Sequence, residues 1–165
     1  MAKDSSFDVV SEVDLQEVDN AYQQATKEIS QRYDLKNSNA ELTFNKGEKT
    51  ITILAPADFV IGQVKDILNS KLIRRGVDIK ALKWSDPKPA SGQNLTTTAT
   101  IVTGLSSDDA KKVSKDIKAM NLKVKPAIED QKVRVTSPSK DALQEVIQNL
   151  RDADYDFALQ FVNYR

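Results

Sequence analysis

Two runs of basic residues are the part of this sequence best suited to chemistry. Residues 71–83 hold five cations and one acid, and residues 111–125 hold six cations and one acid. Clustered cations are what phosphate contacts require, because each neutralised phosphate releases bound counterions. The runs therefore predict contacts with a nucleotide or with RNA phosphates, carried by Lys71, Arg74, Arg75, Lys111 and Lys112.

Two further arginines are candidates for secondary contacts with the same anion. Arg134 alternates with two valines on a short apolar strand, so its side chain must leave the apolar side of that strand. That direction predicts an anion contact on an open sheet face, and Arg165 is predicted to add another. The competing interpretation is that lysine-rich helix faces are only solvated surface. A helix dipole would also favour Arg75, which precedes Gly76, by about 0.3–1 kcal/mol.

The residue types that are missing exclude several kinds of site. The chain has no cysteine and no histidine, so thiolate nucleophiles, imidazole bases and most zinc sites are excluded. With only five glycines it has no P-loop and no dinucleotide fingerprint. The paired carboxylates at 108–109 and 152–156 fit a helix start and a loop. We predict no catalytic residue, no metal site and no cofactor; a hydrolase with carboxylate chemistry is the weakest alternative.

The overall charge and hydropathy describe an ordinary globular protein. The 165 residues carry 24 basic and 24 acidic side chains, so no net field attracts a polyanion. Apolar runs are far shorter than the ~20 residues that span a bilayer. The acidic N-terminal stretch lacks the apolar run of a signal peptide. We therefore expect a cytoplasmic protein that does not enter membranes.

The aromatic residues argue against a standard RNA-recognition domain. Such a domain stacks bases on aromatics of its central strands. The corresponding strands here, ITIL and VRV, contain none. Phe157, Phe161 and Tyr164 near the C-terminus are the nearest substitute. The two phenylalanines have the spacing of core residues, and Tyr164 has the opposite parity and is expected to be exposed.

An internal repeat predicts the elements that must position these side chains. GEKTITILAPADFVIGQVKDIL at positions 47–68 aligns with EDQKVRVTSPSKDALQEVIQNL at positions 129–150. Both copies combine an alternating strand, a proline-containing turn and an amphipathic helix. The chain is thus predicted to contain two versions of one small unit.

The order of elements predicts an α+β fold of two ferredoxin-like units. Each half reads β-α-β-β-α-β, which gives an antiparallel sheet with two helices on one face. The Pro-, Gly- and Ser-rich residues 85–94 form the natural linker. We predict a first unit over residues 1–90 and a second over residues 91–165.

Several segments resemble the YajQ family of bacterial nucleotide-binding proteins. They are FDVVSEVDLQEVDNA, RYDLKNSNAEL, LNSKLIRRGVDIKAL, IKAMNLKVKPAIEDQKVRVT and LQFVNYR, in the family's order and over nearly the whole chain. The resemblance implies a duplicated ferredoxin-like fold whose halves exchange N-terminal strands, at residues 7–13 and 96–103. It also implies binding of nucleotides, RNA or, as in some members, cyclic di-GMP, without catalysis.

One stretch departs from the family pattern. Glu129-Asp130-Gln131 replaces a glycine-containing turn, and residues 136–141 replace a Thr-Gly-Lys-x-Arg-Asp segment. A ligand held by that turn would be bound differently here, or not at all.

These observations predict a non-catalytic protein that binds a nucleotide, a cyclic dinucleotide or RNA through Lys and Arg. A regulatory role is expected. The alternative, from another class, is a protein–protein adaptor that uses the open sheet faces or the acidic N-terminal segment to hold a regulatory partner, without a nucleotide ligand.

Overall fold

A computed structural model describes residues 4–165 of the chain. Residues 1–3, at the start of the predicted first unit and of the acidic segment, lie outside the described residues. The helices are α1 Leu15–Gln31, α2 Asp58–Arg74, α3 Ser107–Ala119 and α4 Lys140–Asp152. The strands are β1 Ser5–Val10, β2 Glu41–Asn45, β3 Thr50–Ala55, β4 Leu82–Trp84, β5 Lys88–Pro89, β6 Leu95–Ile101, β7 Lys125–Glu129, β8 Lys132–Ser137 and β9 Gln160–Val162.

The chain divides into two compact units, each with its own sheet. The middle unit comprises residues 13–102, and the terminal unit comprises residues 1–12 and 103–165. The middle sheet has the order β2-β3-β6-β4, and the short β5 also pairs with β6. The terminal sheet has the order β7-β8-β1-β9. All described strand pairs are antiparallel, which confirms the predicted α+β class of two ferredoxin-like units.

β1 and β6 each lie between two strands that are not adjacent to them in the sequence. β1 pairs with β8 and β9, with Asp8 opposite Arg134, and β6 lies between β3 and β4. This pairing is what an exchange of N-terminal strands would produce. The exchange itself, and the division into residues 1–90 and 91–165, stay predictions.

In the middle unit the apolar faces of two helices pack on one face of the sheet. α1 contributes Val18 and Ile29, and α2 contributes Val64 and Leu68, all buried. The buried residues of β3 alternate with the partly exposed Thr50, Thr52 and Leu54, so only one face of that strand enters the core. The opposite face is rich in hydroxyl groups, and Thr52 and Thr98 hydrogen-bond across it at 3.3 Å.

The terminal unit repeats this arrangement around a core of its own. The core contains side chains from α3, α4, β1 and β8, among them Phe7, Val113, Val133 and Leu150. Phe157 belongs to this core and Phe161 packs against it, as their spacing predicted. Tyr155 and Phe157 stack with ring centroids 5.0 Å apart.

The repeat seen in the sequence is present in the structure. β3 and β8 begin 82 residues apart, at Thr50 and Lys132, and so do α2 and α4. The two hairpins differ in length. The residues between β2 and β3 are 46–49, whereas Asp130 and Gln131 alone join β7 to β8. In this shorter turn Asp130 supplies the positive φ, 55°, that the missing glycine would supply more easily.

Across residues 4–165, no helix is both long and apolar enough to cross a membrane.

Candidate functional site

The best-formed group of cations surrounds a depression between α1 and α2 of the middle unit. The helices run antiparallel: Gln63 lies 3.3 Å from Asp34 at one end, and Arg75 lies 3.8 Å from Glu17 at the other. The depression has a volume of about 410 Å³. Its lining residues are Gln24, Lys27, Glu28, Gln31, Lys71, Arg74 and Arg75.

The helix α2 ends at Arg74, with Arg75 as its C-cap, and the residues that follow fix this end. Gly76 follows with φ of 77°, which is easy for glycine and costly for other residues. The N–H of Val77 donates to Leu72 O at 2.9 Å, and the N–H of Gly76 donates to Ile73 O at 3.0 Å. These two bonds form a Schellman motif, and the buried Val77 and Leu72 supply its apolar pair. The motif fixes the last turn of the helix, from which Arg74 and Arg75 project.

Two of the cations are held by carboxylates of α1. Lys71 Nζ lies 2.8 Å from Glu28 Oε1, and the Lys71 side chain is only 16% exposed. The hydrogen bond from Lys71 holds the pKa of Glu28 below its usual range. Glu28 also lies 3.7 Å from Arg32. The ion pair with Glu28 orients Lys71 at the rim of the depression, and the ion pair with Glu17 orients Arg75 there.

The other two cations are less constrained, although the charge of Arg74 also helps to lower the pKa of Glu28. Neither Lys27 nor Arg74 forms an ion pair with a residue in the described range 4–165. The lining therefore holds four cations against the single carboxylate of Glu28. Sequence analysis grouped Lys71, Arg74 and Arg75 because they are neighbours in one basic run. It did not identify Lys27, which joins them only through the packing of α1 on α2.

This arrangement suits an anion despite its place at a helix end. The C-terminal dipole of α2 opposes a negative ligand by about 0.3–1 kcal/mol. Hydrogen bonds to charged groups contribute about 1.5–3 kcal/mol each. Hydrogen bonds from the two cations without an ion pair, Lys27 and Arg74, therefore outweigh the unfavourable energy of the helix dipole. None of the described residues that line the depression is aromatic and could stack a base, so the depression matches the phosphates of a ligand.

The remaining predicted cations belong to the terminal unit and lie on different elements. Lys111 and Lys112 are on α3. Lys112 Nζ is 5.5 Å from the ring centre of Tyr155, a cation–π contact that directs this lysine toward its own unit. The Tyr155 hydroxyl donates to Asp116 at 2.6 Å, and burial with this bond raises the pKa of Tyr155 above its usual range.

Arg134 leaves the apolar side of β8 as predicted, but carboxylates occupy its guanidinium. Its Nε donates to Asp8 Oδ1 at 3.0 Å, and its Nη1 lies 3.4 Å from Glu129. Asp8 also accepts from Asn163 at 2.9 Å and lies 3.6 Å from Lys132. Burial alone would raise the pKa of Asp8, but the bonds from Arg134 and Asn163 hold it below its usual range. Arg134 thus compensates a buried charge.

Arg165 lies beyond β9, where its main chain pairs with Ser6. The N–H of Arg165 donates to Ser6 O at 3.0 Å, and the N–H of Ser6 donates back to Arg165 O at 3.1 Å. This pairing places Arg165 at the edge of the terminal sheet, on a different element from Lys111, Lys112 and Arg134.

The carboxylate pair at 108–109 lies at a helix start as predicted, whereas Asp152 of the second pair is the last residue of α4. Asp108 and Asp109 are in the first turn of α3, and Ser106 caps that helix by accepting from the N–H of Asp109 at 3.1 Å. Within the range 4–165, His, Cys, Asp and Glu side chains form no group of three or more that could hold a metal ion.

Comparison with known proteins assigns the chain to a family. The family described as "Nucleotide-binding protein YajQ-like" matches residues 5–165. A protein of Bacillus cereus (strain AH187) is 48% identical, one of Desulfitobacterium hafniense (strain DSM 10664 / DCB-2) 47% and one of Chloroherpeton thalassium 41%, each over the full length of both chains. All three relatives carry the name nucleotide-binding protein. This chain belongs to the YajQ family.

Proposed function

We propose that this is a non-catalytic nucleotide-binding protein whose middle unit holds phosphate groups in the depression between α1 and α2. The observation that carries the proposal is the convergence of Lys27, Lys71, Arg74 and Arg75 around one acid, Glu28. The names of the relatives give the same ligand class. The absence of cysteine and histidine from the sequence supports binding without catalysis.

The polar lining favours a ligand that presents several phosphates and keeps its bases outside. Single-stranded RNA and a cyclic dinucleotide both meet this description. Lys71 and Arg75 are already oriented by Glu28 and Glu17, so they lose little side-chain entropy on binding. Lys27 and Arg74 would supply the new charge-assisted bonds.

The other predicted residues have lesser parts in this proposal. Lys111, which is exposed on α3, would add an electrostatic contact to a long polyanion. Lys112 is already engaged with Tyr155, and Arg134 with Asp8, so each would contribute mainly through its long-range field. Arg165 would act apart from these, at the sheet edge.

The test is a titration with labelled single-stranded RNA and, separately, with cyclic di-GMP at about 50 and 200 mM salt. We expect Lys27→Gln/Arg74→Gln to weaken the ligand that binds here. For RNA, the slope of log affinity against log salt should fall by about 1.4, since each lost phosphate contact removes about 0.7 for a single strand. The matched control is Lys46→Gln/Lys88→Gln, which removes the same charge from exposed sites of the same unit.

An unchanged affinity and salt slope in the double variant would overturn the site. Absence of binding to both ligands at low salt would overturn the function. Recovery of one protein and no nucleic acid in a pull-down would then favour the adaptor hypothesis.

A further inference from the structure

The last residues of the chain form a β-bulge against β1. Val162 lies opposite Asp8, and Arg165 exchanges two main-chain hydrogen bonds with Ser6. Between these pairs, Asn163 and Tyr164 together face the single residue Phe7. Two residues opposite one is the definition of a bulge, a feature that redirects side chains and is frequent beside binding sites.

The bulge is stabilised from inside the unit. Asn163 has φ of 58°, a left-handed conformation that asparagine adopts more readily than most other residues. Its side chain donates at 2.9 Å to Asp8, which is 1% exposed and also bonded by Arg134. The hydrogen bond to this buried charge network fixes the backbone geometry of the bulge.

The consequence of the bulge is the position of Tyr164. Without the bulge, Tyr164 would lie on the same face of the sheet as Val162, which pairs with Asp8. With it, the Tyr164 ring lies 6.2 Å from the ring of Phe7, which Phe161 also contacts at 6.0 Å. Tyr164 nevertheless stays 57% exposed, so one side of its ring remains open.

A pocket of about 260 Å³ opens beside this ring. Its lining residues are Ser5, Ser6, Lys140, Leu143, Gln144, Tyr164 and Arg165. Lys140 is the first residue of the 13-residue α4, where the helix dipole also favours an anion. No acidic side chain lines the pocket, and neither Lys140 nor Arg165 forms an ion pair with a described residue. The pocket thus joins two available cations to an exposed aromatic face and to hydroxyl and amide groups.

We propose that this pocket binds a single nucleoside monophosphate. Lys140 and Arg165 hold the phosphate at the start of α4, and the base stacks on Tyr164. Ser5, Ser6 and Gln144 hydrogen-bond the sugar or the base edge. The proposal shares its ligand class with the proposed function but stands on residues of the other unit.

The volume of the pocket limits the ligand. Pockets for small molecules typically measure about 300–1,000 Å³. This one lies just below that range, so it accommodates one nucleotide with part of it in solvent.

The test uses the full chain with a ¹⁵N label and follows amide signals during titration with GMP, guanosine and inorganic phosphate. We expect GMP to shift the signals of Ser5, Ser6 and Gln144. Lys140→Gln should weaken GMP about tenfold, the loss of one charge-assisted bond, and should leave guanosine unchanged. Tyr164→Leu should weaken GMP and guanosine by about tenfold each and leave inorganic phosphate unchanged.

Two comparisons make the result decisive. Lys118→Gln removes a lysine from α3 of the same unit and should bind GMP as the parent does. Lys27→Gln/Arg74→Gln should also leave GMP binding at this pocket unchanged, so failure of either proposal is seen separately. GMP shifts confined to other residues, or affinities that neither Lys140→Gln nor Tyr164→Leu changes, would overturn the proposal.

Discussion

In the terminal unit, the buried carboxylate of Asp8 determines which side chains its neighbours must have. It is 1% exposed, and a buried charge is tolerated only when it is paired and hydrogen-bonded. Arg134 and Lys132 of the neighbouring strand β8 meet that requirement together with Asn163 of the bulge. One acid therefore connects β8, β1 and the C-terminal residues.

Replacement of Arg134 by methionine should weaken the unit most near neutral pH, where Asp8 is ionised, and least in acid. The folded-state pKa of Asp8 is depressed, so its stabilisation is present above the unfolded value of about 3.9 and is lost as pH falls through the folded value. Without Arg134 the folded pKa of Asp8 rises, so less stabilisation remains to be lost in acid, and the unfolding free energies of variant and parent should converge as pH falls. We expect a decrease of about 1–3 kcal/mol in unfolding free energy near pH 7.

Urea unfolding between pH 3 and pH 7 measures this effect. Lys125→Met, which removes an exposed cation from β7, is the control and should follow the parent. Equal acid sensitivity in Arg134→Met and the parent would show that Lys132 and Asn163 suffice for Asp8.

The roles of single residues were predictable only where the partners are close in sequence. Lys71, Arg74 and Arg75 lie within five positions, and they do share one depression. Arg134 was predicted as an anion contact from its direction alone. Its partner Asp8 precedes it by 126 positions, and no local pattern indicates that pairing. Lys27 was missed for the same reason.

At the scale of elements, α2 has one glycine inside it and another just after its end, and the two have opposite requirements. Gly62 lies inside the helix, and an added Cβ would meet no atom within 4 Å. Gly76 ends the helix at φ of 77°. We expect Gly62→Ala to stabilise the protein by about 0.5–1 kcal/mol and Gly76→Ala to destabilise it by about 1–2 kcal/mol.

Thermal and urea unfolding of both variants check this pair, and each serves as the control for the other. Because Gly76 also fixes the end of α2, Gly76→Ala should weaken RNA binding as well. Stabilisation by Gly76→Ala would contradict the left-handed helix end.

The elements themselves were well predicted where the repeat shows them twice. The strand and helix at positions 47–68 and 129–150 both appear, and the offset of 82 residues is kept. The C-terminal strand β9 is short and covers only Gln160–Val162. The bulge at Asn163 ends it, and a bulge depends on hydrogen bonds to Asp8 and Ser6 that local propensity does not show.

At the scale of the whole molecule, each sheet depends on a strand from a distant part of the chain. A fragment of residues 1–90 lacks β6, which lies between β3 and β4. A fragment of residues 13–102 contains every strand of the middle sheet. We therefore expect the fragment 13–102 to unfold cooperatively, and the fragments 1–90 and 91–165 to lack a cooperative transition.

Circular dichroism during heating, together with the dispersion of amide proton signals, distinguishes these outcomes. The intact chain is the reference. Cooperative unfolding of fragment 1–90 would contradict the predicted exchange of strands.

The pairing of β1 with β8 also has a consequence during synthesis. Residues 5–10 leave the ribosome early, yet Arg134, opposite Asp8, follows 126 positions later. At about 5–20 residues per second, β1 waits roughly 6–25 seconds for its partner. The strands of residues 13–102 are all translated within that interval. The nascent chain can therefore fold its middle unit, residues 13–102, before the terminal unit is complete. β1 is translated before the middle unit but pairs with β8 only afterwards.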